Sequence, residues 1–351
     1  MAITLSQDLI DLAHTKYMPL WNEDWQQAKS LLLPWVTEIA GCEGPYVRFP
    51  RIGGTDVKEY SSNSADIVKS SLKHGTYGFK KRKFYNAIDL NDDDTAEAYD
   101  LMFNLDTIRK QQRKAAERFM DEVILGVVKD SSTGKYRLKT SADGGYLGGI
   151  LNTGYAGDDG STTSSLDLTY AGFTAGTGNL VPVDYASTGT GVSTLMKGTV
   201  VDRMQYAVRK LAENEAYNAV DPSELVFLIS PAVAQAIRML EVSVNHDYEI
   251  GDIGEFGRPV FNKAIGATIV QTNMLPLMDT KDSDGETVSD CRECVAFLKS
   301  QVGFGRWRDT EFRIKEESKK VAVDYFLRVR GAFGAGRVRN DAVYVVPIKE
   351  S

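Results

Sequence analysis

The most constraining feature of the sequence is a long amphipathic stretch at residues 104–129. Apolar side chains recur there at helical spacing and would form one stripe, which comprises Leu105, Ile108, Ala115, Phe119, Val123 and Val127. No Pro or Gly interrupts the run before Gly126, so the pattern predicts one helix of about 24 residues and roughly 36 Å. A helix of this length favours either a core element under a sheet or a spine that carries contacts between subunits.

The composition and charge exclude several classes of protein. With 42% hydrophobic and 25% charged residues among 351, the chain has the balance of a globular, water-soluble protein. Its formal net charge of -7 argues against a surface built to read a nucleic-acid sequence. The apolar runs are too short for a membrane span, and Asp8 and Asp11 spoil the start as a secretory signal. We therefore expect an intracellular product without a membrane segment.

The cysteines are few and odd in number, which argues against a disulfide framework. Cys291 and Cys294 form a CxxC, whereas Cys42 stands alone. A structural zinc site needs a second pair of ligands at workable spacing, and the remaining Cys and His residues are scattered singly. We expect two ordinary thiols on a strand, with a redox or zinc protein as the alternative.

Catalytic signatures such as HExxH and GxSxG are missing from the sequence. The histidines lie in unrelated settings, and no motif pairs the carboxylates. We therefore predict that the protein is not an enzyme and that it has no catalytic residues, no cofactor and no metal.

Composition and periodicity divide the chain into six segments. We interpret residues 1–46 as an N-terminal arm and 47–91 as an extended loop with flanking strands. Residues 92–130 contain the long helix, and 131–198 are a Gly-, Ser- and Thr-rich inserted loop or small β region, mostly exposed. Residues 199–290 alternate helix and strand as an α/β unit, in which Ser230 and Pro231 open a helix after the apolar strand 225–230. Residues 291–351 contain long antiparallel strands on which the long helix packs.

A basic cluster follows the extended loop and comprises Lys80, Lys81, Arg82 and Lys83. It is either a solvated strand end or a basic patch that meets an acidic surface of a neighbouring molecule. The sequence leaves both interpretations open.

The order of these segments resembles the major capsid proteins of tailed bacteriophages with the Hong Kong 97-type fold. The resemblance rests on KRKFYNAIDL after the extended loop, on RFMDEVI within the long helix and on LVFLISPAVAQAIRML followed by GDIGEFGRPV. The closing GFGRWRDTEFRI and RVRGAFGAGRVRNDAVYVVPI resemble the terminal strands of that family. The resemblance covers most of the chain outside residues 131–198.

The resemblance implies an α+β fold with an axial domain at residues 199–290 and a peripheral domain built from the spine helix and the long strands. It implies a major capsid protein whose hexamers and pentamers close into an icosahedral shell around packaged double-stranded DNA. Such a virion capsid is assembled in the cytoplasm of the host bacterium. An encapsulin-like compartment that encloses an enzyme is the alternative use of the same fold.

The resemblance also implies partners. These are further copies of the chain, a separate scaffolding protein, a portal and a decoration or cement protein, with DNA nearby but not read by sequence. The candidate inter-subunit contacts are Lys80, Lys81, Arg82, Lys83, Arg113 and Arg118. Some relatives link an extended-loop Lys covalently to an Asn of a neighbour. The residues available for such a bond are the distant Asn340 and the lysines Lys69, Lys73, Lys80, Lys81 and Lys83. No local pattern marks a pair, so we expect noncovalent contacts.

The long helix makes two expectations testable. Phe119→Asp should abolish folding, because it would place a charge in the core. Reversal of Arg113 or Arg118 should leave the monomer folded and, if those residues meet a neighbour, impair assembly.

Overall fold

The computed structural model describes residues 27–52, 74–90, 105–140, 143, 148–151, 155–156, 181, 199–213, 224–238, 260–262, 267–281, 287–316, 325–338 and 342–349. Its helices are α1 (Leu105–Leu125), α2 (Thr199–Glu213) and α3 (Pro231–Arg238). Its strands are β1 (Thr37–Ala40), β2 (Tyr46–Ile52), β3 (His74–Lys80), β4 (Arg82–Leu90), β5 (Val127–Lys129), β6 (Tyr136–Leu138), β7 (Tyr155–Ala156), β8 (Leu225–Ile229), β9 (Val260–Asn262), β10 (Thr268–Gln271), β11 (Leu277–Lys281), β12 (Thr287–Leu298), β13 (Val302–Glu316), β14 (Tyr325–Arg337) and β15 (Val343–Lys349). The predicted α+β class is confirmed.

The long strands β13 and β14 pair antiparallel at the centre of a four-stranded sheet in the order β1, β13, β14, β4. Strand β1 runs parallel to β13, and β4 runs antiparallel to β14. In β14, Leu327 and Val329 are buried, whereas Arg328 and Arg330 are half-buried, which confirms the predicted alternation.

Helix α1 packs across this sheet, as predicted, mainly on β14. Its Phe119 ring lies 4.8 Å from that of Phe84 on β4, and Phe84 lies 5.0 Å from Phe333 on β14, measured between ring centroids. Because Phe333 shares a face with Leu327 and Val329, α1 covers that face. The opposite face carries Arg328 and Arg330.

The helix is shorter than predicted. It has 21 residues, which corresponds to about 32 Å. It ends before Gly126, whose φ of 80° is a left-handed conformation that glycine adopts without strain. The chain then continues as β5, so the predicted helical end at residue 129 is wrong. A Cβ on Gly149 would lie 2.3 Å from the Gly126 nitrogen, so this turn also requires close contact between two glycine backbones.

The buried face of α1 is rotated from the predicted stripe. Its most buried residues are Gln112, Ala116, Met120, Asp121, Val123, Ile124 and Leu125. Ala115 and Phe119 are only half-buried, whereas Val123 belongs to both sets. The predicted and the observed buried residues both recur at helical spacing. The buried face includes the polar Gln112 and Asp121, so it is less apolar in sequence than the predicted stripe. Periodicity alone therefore identified the helix but not its rotation.

The structure also contains a separate six-stranded sheet. Its order is β11, β12, β8, β10, β9, and β15 pairs with β12. Every residue of β8 is buried, as the apolar run at 225–230 predicts. The backbone nitrogen of Val233 donates a hydrogen bond to Ser230 Oγ at 3.2 Å, so Ser230 caps α3 and Pro231 takes its first position, as predicted.

The sheets do not follow the predicted division at residue 290. Strand β12 crosses that boundary and pairs with β8 on one side and β15 on the other. Two of the predicted C-terminal strands therefore complete the sheet of the α/β unit, and only β13 and β14 join the sheet under α1. The alternation within a strand indicates which face is buried but not which distant strand is its partner.

The predicted two-stranded excursion begins as a ribbon of β2 and β3. Their antiparallel register runs from Tyr46 opposite Lys80 to Ile52 opposite His74. Residues 53–73, with Lys69, lie outside the described residues. Lys81 alone separates β3 from β4, so the ribbon leaves the four-stranded sheet directly.

Part of the Gly-rich region is core, which differs from the predicted exposed loop. Ile150, Leu151 and Val181 have no exposed surface. Their backbone nitrogens donate hydrogen bonds to the carbonyl oxygens of Ile124, Leu125 and Val345, at 2.8, 3.1 and 2.9 Å. The described fragments of this region therefore link the end of α1 to β15, although glycine-rich composition is typical of surface loops.

Candidate subunit interface

The basic cluster lies where the chain passes from the ribbon to the four-stranded sheet. Lys80 ends β3 and is half-buried, and Lys81 donates a hydrogen bond from Nζ to the carbonyl oxygen of Gly44 at 3.3 Å. Because side chains alternate along β4, Arg82 points to one face of the sheet and the exposed Lys83 to the other. The cluster is thus divided between two environments.

Arg82 is buried beneath α1. Its guanidinium carbon lies 5.3 Å from the centroid of the Phe119 ring. Burial lowers the pKa of Arg82, against the attraction of Glu122 and Asp143. The guanidinium is therefore held inside its own subunit, which differs from the predicted contact with a neighbour because this face of β4 points at the helix.

The two candidate arginines of α1 also differ from one another. Arg113 is exposed, whereas Arg118 is half-buried, and its Nε is buried without a hydrogen-bond partner. Helix α1 covers one face of the four-stranded sheet and Lys83 lies on the other face. Arg113 and Lys83 therefore lie on opposite sides of this sheet. The structure therefore does not gather the six candidate residues into one patch.

A groove on the face opposite α1 brings two of the candidates together with residues that sequence reasoning missed. The groove has a volume of about 840 Å³. Its cationic lining comprises Lys81, Lys83, Arg308, Arg328 and Arg330, and its carboxylate is Glu43. The strand register places Lys83 opposite Ala332 and Ala332 opposite Arg308, so three separate strands contribute to the groove.

Glu311 fixes one wall of this groove. Its carboxylate accepts hydrogen bonds from the guanidinium of Arg313, at 2.6 Å, and from Arg330 Nε, at 3.0 Å. The hydrogen bond from Arg313 and then that from Arg330 lower the pKa of Glu311. Glu311 therefore stays charged at neutral pH and orients the Arg330 side chain.

Two aromatic side chains border the groove. Tyr85 is 77% exposed, which is unusual for a large ring. The Trp307 indole donates a hydrogen bond from Nε1 to the Gly44 carbonyl at 2.9 Å and meets the Phe79 ring edge-on, with centroids 5.9 Å apart. The signal that could have identified this surface is the pair Arg328 and Arg330, which recur on the non-core face of a strand whose other face is apolar.

The described end of the N-terminal arm is attached to α1 mainly through Asp121, and Glu117 Oε2 also accepts a hydrogen bond from Ser30 N at 3.1 Å. Asp121 Oδ1 accepts hydrogen bonds from Ser30 Oγ at 2.5 Å and Leu32 N at 3.2 Å. Its Oδ2 accepts hydrogen bonds from Leu31 N at 3.1 Å and from the Gln27 side chain. Burial raises the pKa of Asp121, and these hydrogen bonds oppose the rise. Residues 27–40 are therefore integrated in their own subunit, and residues 1–26 lie outside the described residues.

The CxxC does not form a site. Strand β12 places Cys291 and Cys294 three positions apart, and therefore on opposite faces. Cys294 belongs to the main core, whereas Cys291 contacts Val288 in a separate small cluster. Burial raises the pKa of Cys291 to about 11. The predicted position on a strand is confirmed.

Among the described residues, no three His, Cys, Asp or Glu side chains are arranged to hold a metal ion. In the same part of the chain, no helix combines the length and apolar character that a membrane crossing needs.

Solved structures show where this fold occurs. The capsid structure of the cyanophage P-SCSP1u has a TM-score of 0.59 and 15% identity, over 97% of this chain and 94% of that one. The capsid of Myoviridae phage XM1 has a TM-score of 0.59 and 11% identity, over 99% of both chains. A structure from Mycobacterium phage Ogopogo has a TM-score of 0.60 and 12% identity, over 98% of this chain and 99% of that one. The predicted Hong Kong 97-type capsid fold is confirmed.

Sequence comparison is consistent with the fold. No curated protein matches the chain. The family described as phage capsid protein matches residues 10–350. The chain therefore belongs to the phage capsid protein family and is a structural protein of the virion shell.

Proposed function

We propose that copies of this chain form hexamers and pentamers that close into an icosahedral shell around the double-stranded DNA of a tailed bacteriophage. The observation that carries the proposal is the family match over residues 10–350. Strand β2 supports it as well, because it forms an edge of its three-stranded sheet within the described part of the chain. An open strand edge is a backbone surface that a neighbouring subunit can cover.

The candidate contacts serve this assembly from two sides. Lys80, Lys81 and Lys83 lie at the base of the ribbon, and Arg113 lies on the outer side of α1, so one subunit presents cations to two different neighbours. Each neighbour carries a net charge of -7, which makes cationic contacts favourable. Arg118 contributes less than Arg113 because it is half-buried. The contacts are noncovalent.

Assembly of the proposed shell involves other proteins and a particular compartment of the cell. Assembly takes place in the cytoplasm of the host bacterium, with a separate scaffolding protein, a portal and a decoration or cement protein. The packaged DNA lies near the shell and is not read by sequence, in keeping with the acidic average charge of the subunit.

Nuclease protection tests the proposal. Particles are isolated from infected cells, treated with nuclease and then opened. We expect protected double-stranded DNA of one length together with this chain as the main protein. Particles that contain a cargo enzyme and no DNA would indicate an encapsulin-like compartment instead.

A further inference from the structure

The groove opposite α1 concentrates positive charge on an acidic protein. Five cationic side chains and one carboxylate line it, in a chain with a net charge of -7. Like charges this close repel one another, so the arrangement costs free energy in an isolated subunit. An anionic group in the groove would relieve that repulsion.

Three of the cations have no partner to neutralise them. The side chains of Lys83, Arg308 and Arg328 make no hydrogen bond or ion pair with any other part of the described chain. Arg308 and Lys83 are also exposed. By contrast, Arg330 is already paired with Glu311, at 2.9 Å between Nη2 and Oε2. The groove thus presents unpaired cationic side chains from three strands, next to Arg330, which Glu311 holds in place.

The shape and lining favour a segment of protein over a DNA duplex. Gly331, which has no side chain, and the small Ala332 leave open space in the groove, and Trp307 and Tyr85 add aromatic surface. A duplex presents phosphates and sugars to such a face and would leave the apolar surface uncovered, whereas an acidic chain segment can pair its carboxylates with the arginines and cover the rings. Exposed tyrosine and arginine side chains are enriched in the energetically important parts of protein interfaces.

We propose that this groove binds a carboxylate-rich segment of a neighbouring copy of the same chain. The inference rests on the proposed shell, which brings copies into contact, and on charge complementarity between the groove and a subunit of net charge -7. The contact is electrostatic, with the unpaired cations Lys83, Arg308 and Arg328 pairing carboxylates of the neighbour.

The test reverses two of the unpaired cations in the full-length chain. The variant is Arg308→Glu with Arg328→Glu, and the matched control is Lys29→Glu with Lys135→Glu, which changes the net charge equally at two exposed lysines outside the groove. Circular dichroism reports folding, and sedimentation velocity reports the assembled fraction. We expect wild type, the groove variant and the control all to fold. The groove variant should need a protein concentration at least about tenfold higher than wild type to assemble. The control should assemble at the same concentration as wild type.

Neutral replacements distinguish loss of the cationic contact from misfolding caused by charge reversal. Arg308→Gln with Arg328→Gln should also weaken assembly, by less than charge reversal. Normal assembly of both groove variants would overturn the inference and leave the shell intact as a proposal. Normal assembly with loss of nuclease-protected DNA would overturn it in favour of a DNA contact. Failure of the wild-type chain to assemble would contradict the proposed shell itself.

Discussion

The guanidinium carbon of Arg82 lies 5.3 Å from the centroid of the Phe119 ring, which connects the start of β4 to the long helix. Burial raises the pKa of the neighbouring Glu122, and the attraction of Arg82 is the first effect that lowers it again. Arg82 therefore acts within its subunit, as the main counter-charge of the half-buried Glu122 carboxylate.

Arg82→Met should destabilise the unassembled subunit in a pH-dependent way. Without Arg82 the folded-state pKa of Glu122 rises further above its ordinary value of 4.5. The folded chain then holds a proton that the unfolded chain releases, so the free energy of unfolding falls as the pH rises from that value through the folded pKa. We expect a deficit of about 1 kcal/mol at pH 7 that shrinks towards pH 4.5 in urea titrations. Addition of Glu122→Gln should abolish this pH dependence, and an equal deficit at both pH values would contradict the coupling.

Val123 and Phe119 share the predicted stripe but should respond differently to a buried charge. Val123 is 1% exposed, whereas Phe119 is half-buried beside Arg82. Val123→Asp should abolish folding, because the carboxylate would have no partner in the core. The sequence-based expectation that Phe119→Asp abolishes folding is corrected by this half-buried position: the variant should lose about 2–3 kcal/mol yet still fold, because its carboxylate would lie near Arg82. Thermal melts of both proteins check the ranking, and an unfolded Phe119→Asp beside a folded Val123→Asp would reverse it.

Asp121 should control attachment of the arm. Asp121→Asn replaces one acceptor oxygen with an amide donor, so two of the four hydrogen bonds from residues 27–32 are lost. We expect trypsin to cleave after the exposed Lys29 about thirtyfold faster, since two lost bonds at about 1 kcal/mol each lower the free energy of local opening by about 2 kcal/mol. Asp130→Asn, in an exposed turn, is the control and should cleave like wild type. Equal rates in all three proteins would show that Asp121 does not hold the arm.

Arg113 and Arg118 should separate assembly from stability. Arg113→Glu alters an exposed side chain, so we expect an unchanged melting temperature and impaired assembly by sedimentation. Arg118→Glu should lower the melting temperature, because Arg118 is half-buried and its charge lowers the pKa of the half-buried Glu122. Lys135→Glu, also exposed, controls for net charge. Full assembly of Arg113→Glu would remove that residue from the proposed interface.

The thiols of β12 should be inert. The pKa of Cys291 is about 11, so its thiol is protonated at neutral pH, and Cys294 is 1% exposed. We expect iodoacetamide to leave both unlabelled in the native chain at pH 8 and to label both in urea. Cys291→Ser with Cys294→Ser should assemble normally and bind no zinc. Rapid native labelling or stoichiometric zinc in wild type would revive the redox or zinc alternative.

The sequence predicted features that depend on neighbouring residues. Helical spacing located α1, the apolar run located β8, and Ser230 with Pro231 located the start of α3, because each signal lies within one element. The order of segments also indicated the capsid fold. The rotation of α1 was not predicted, because Gln112 and Asp121 place polar groups on the core face, where Asp121 binds the arm.

Features that depend on pairing across the chain were not predictable from local patterns. Strand β12 joins β8 and β15 through contacts that alternation does not encode. The groove combines Lys83, Arg308 and Arg328 from three strands, and an irregularity in the β13–β14 register between Arg308 and Glu311 sets which side chains meet. Of the predicted cluster, Lys81 and Lys83 reach this groove, whereas Arg82 is directed to α1 by the period of the strand.

Sedimentation velocity combined with electron microscopy of the purified chain tests whether it forms a shell. Samples span a range of concentrations, with and without a crowding agent that favours association. We expect rings of six and five subunits or closed shells of uniform diameter. A strictly monomeric species under every condition would contradict the proposed shell.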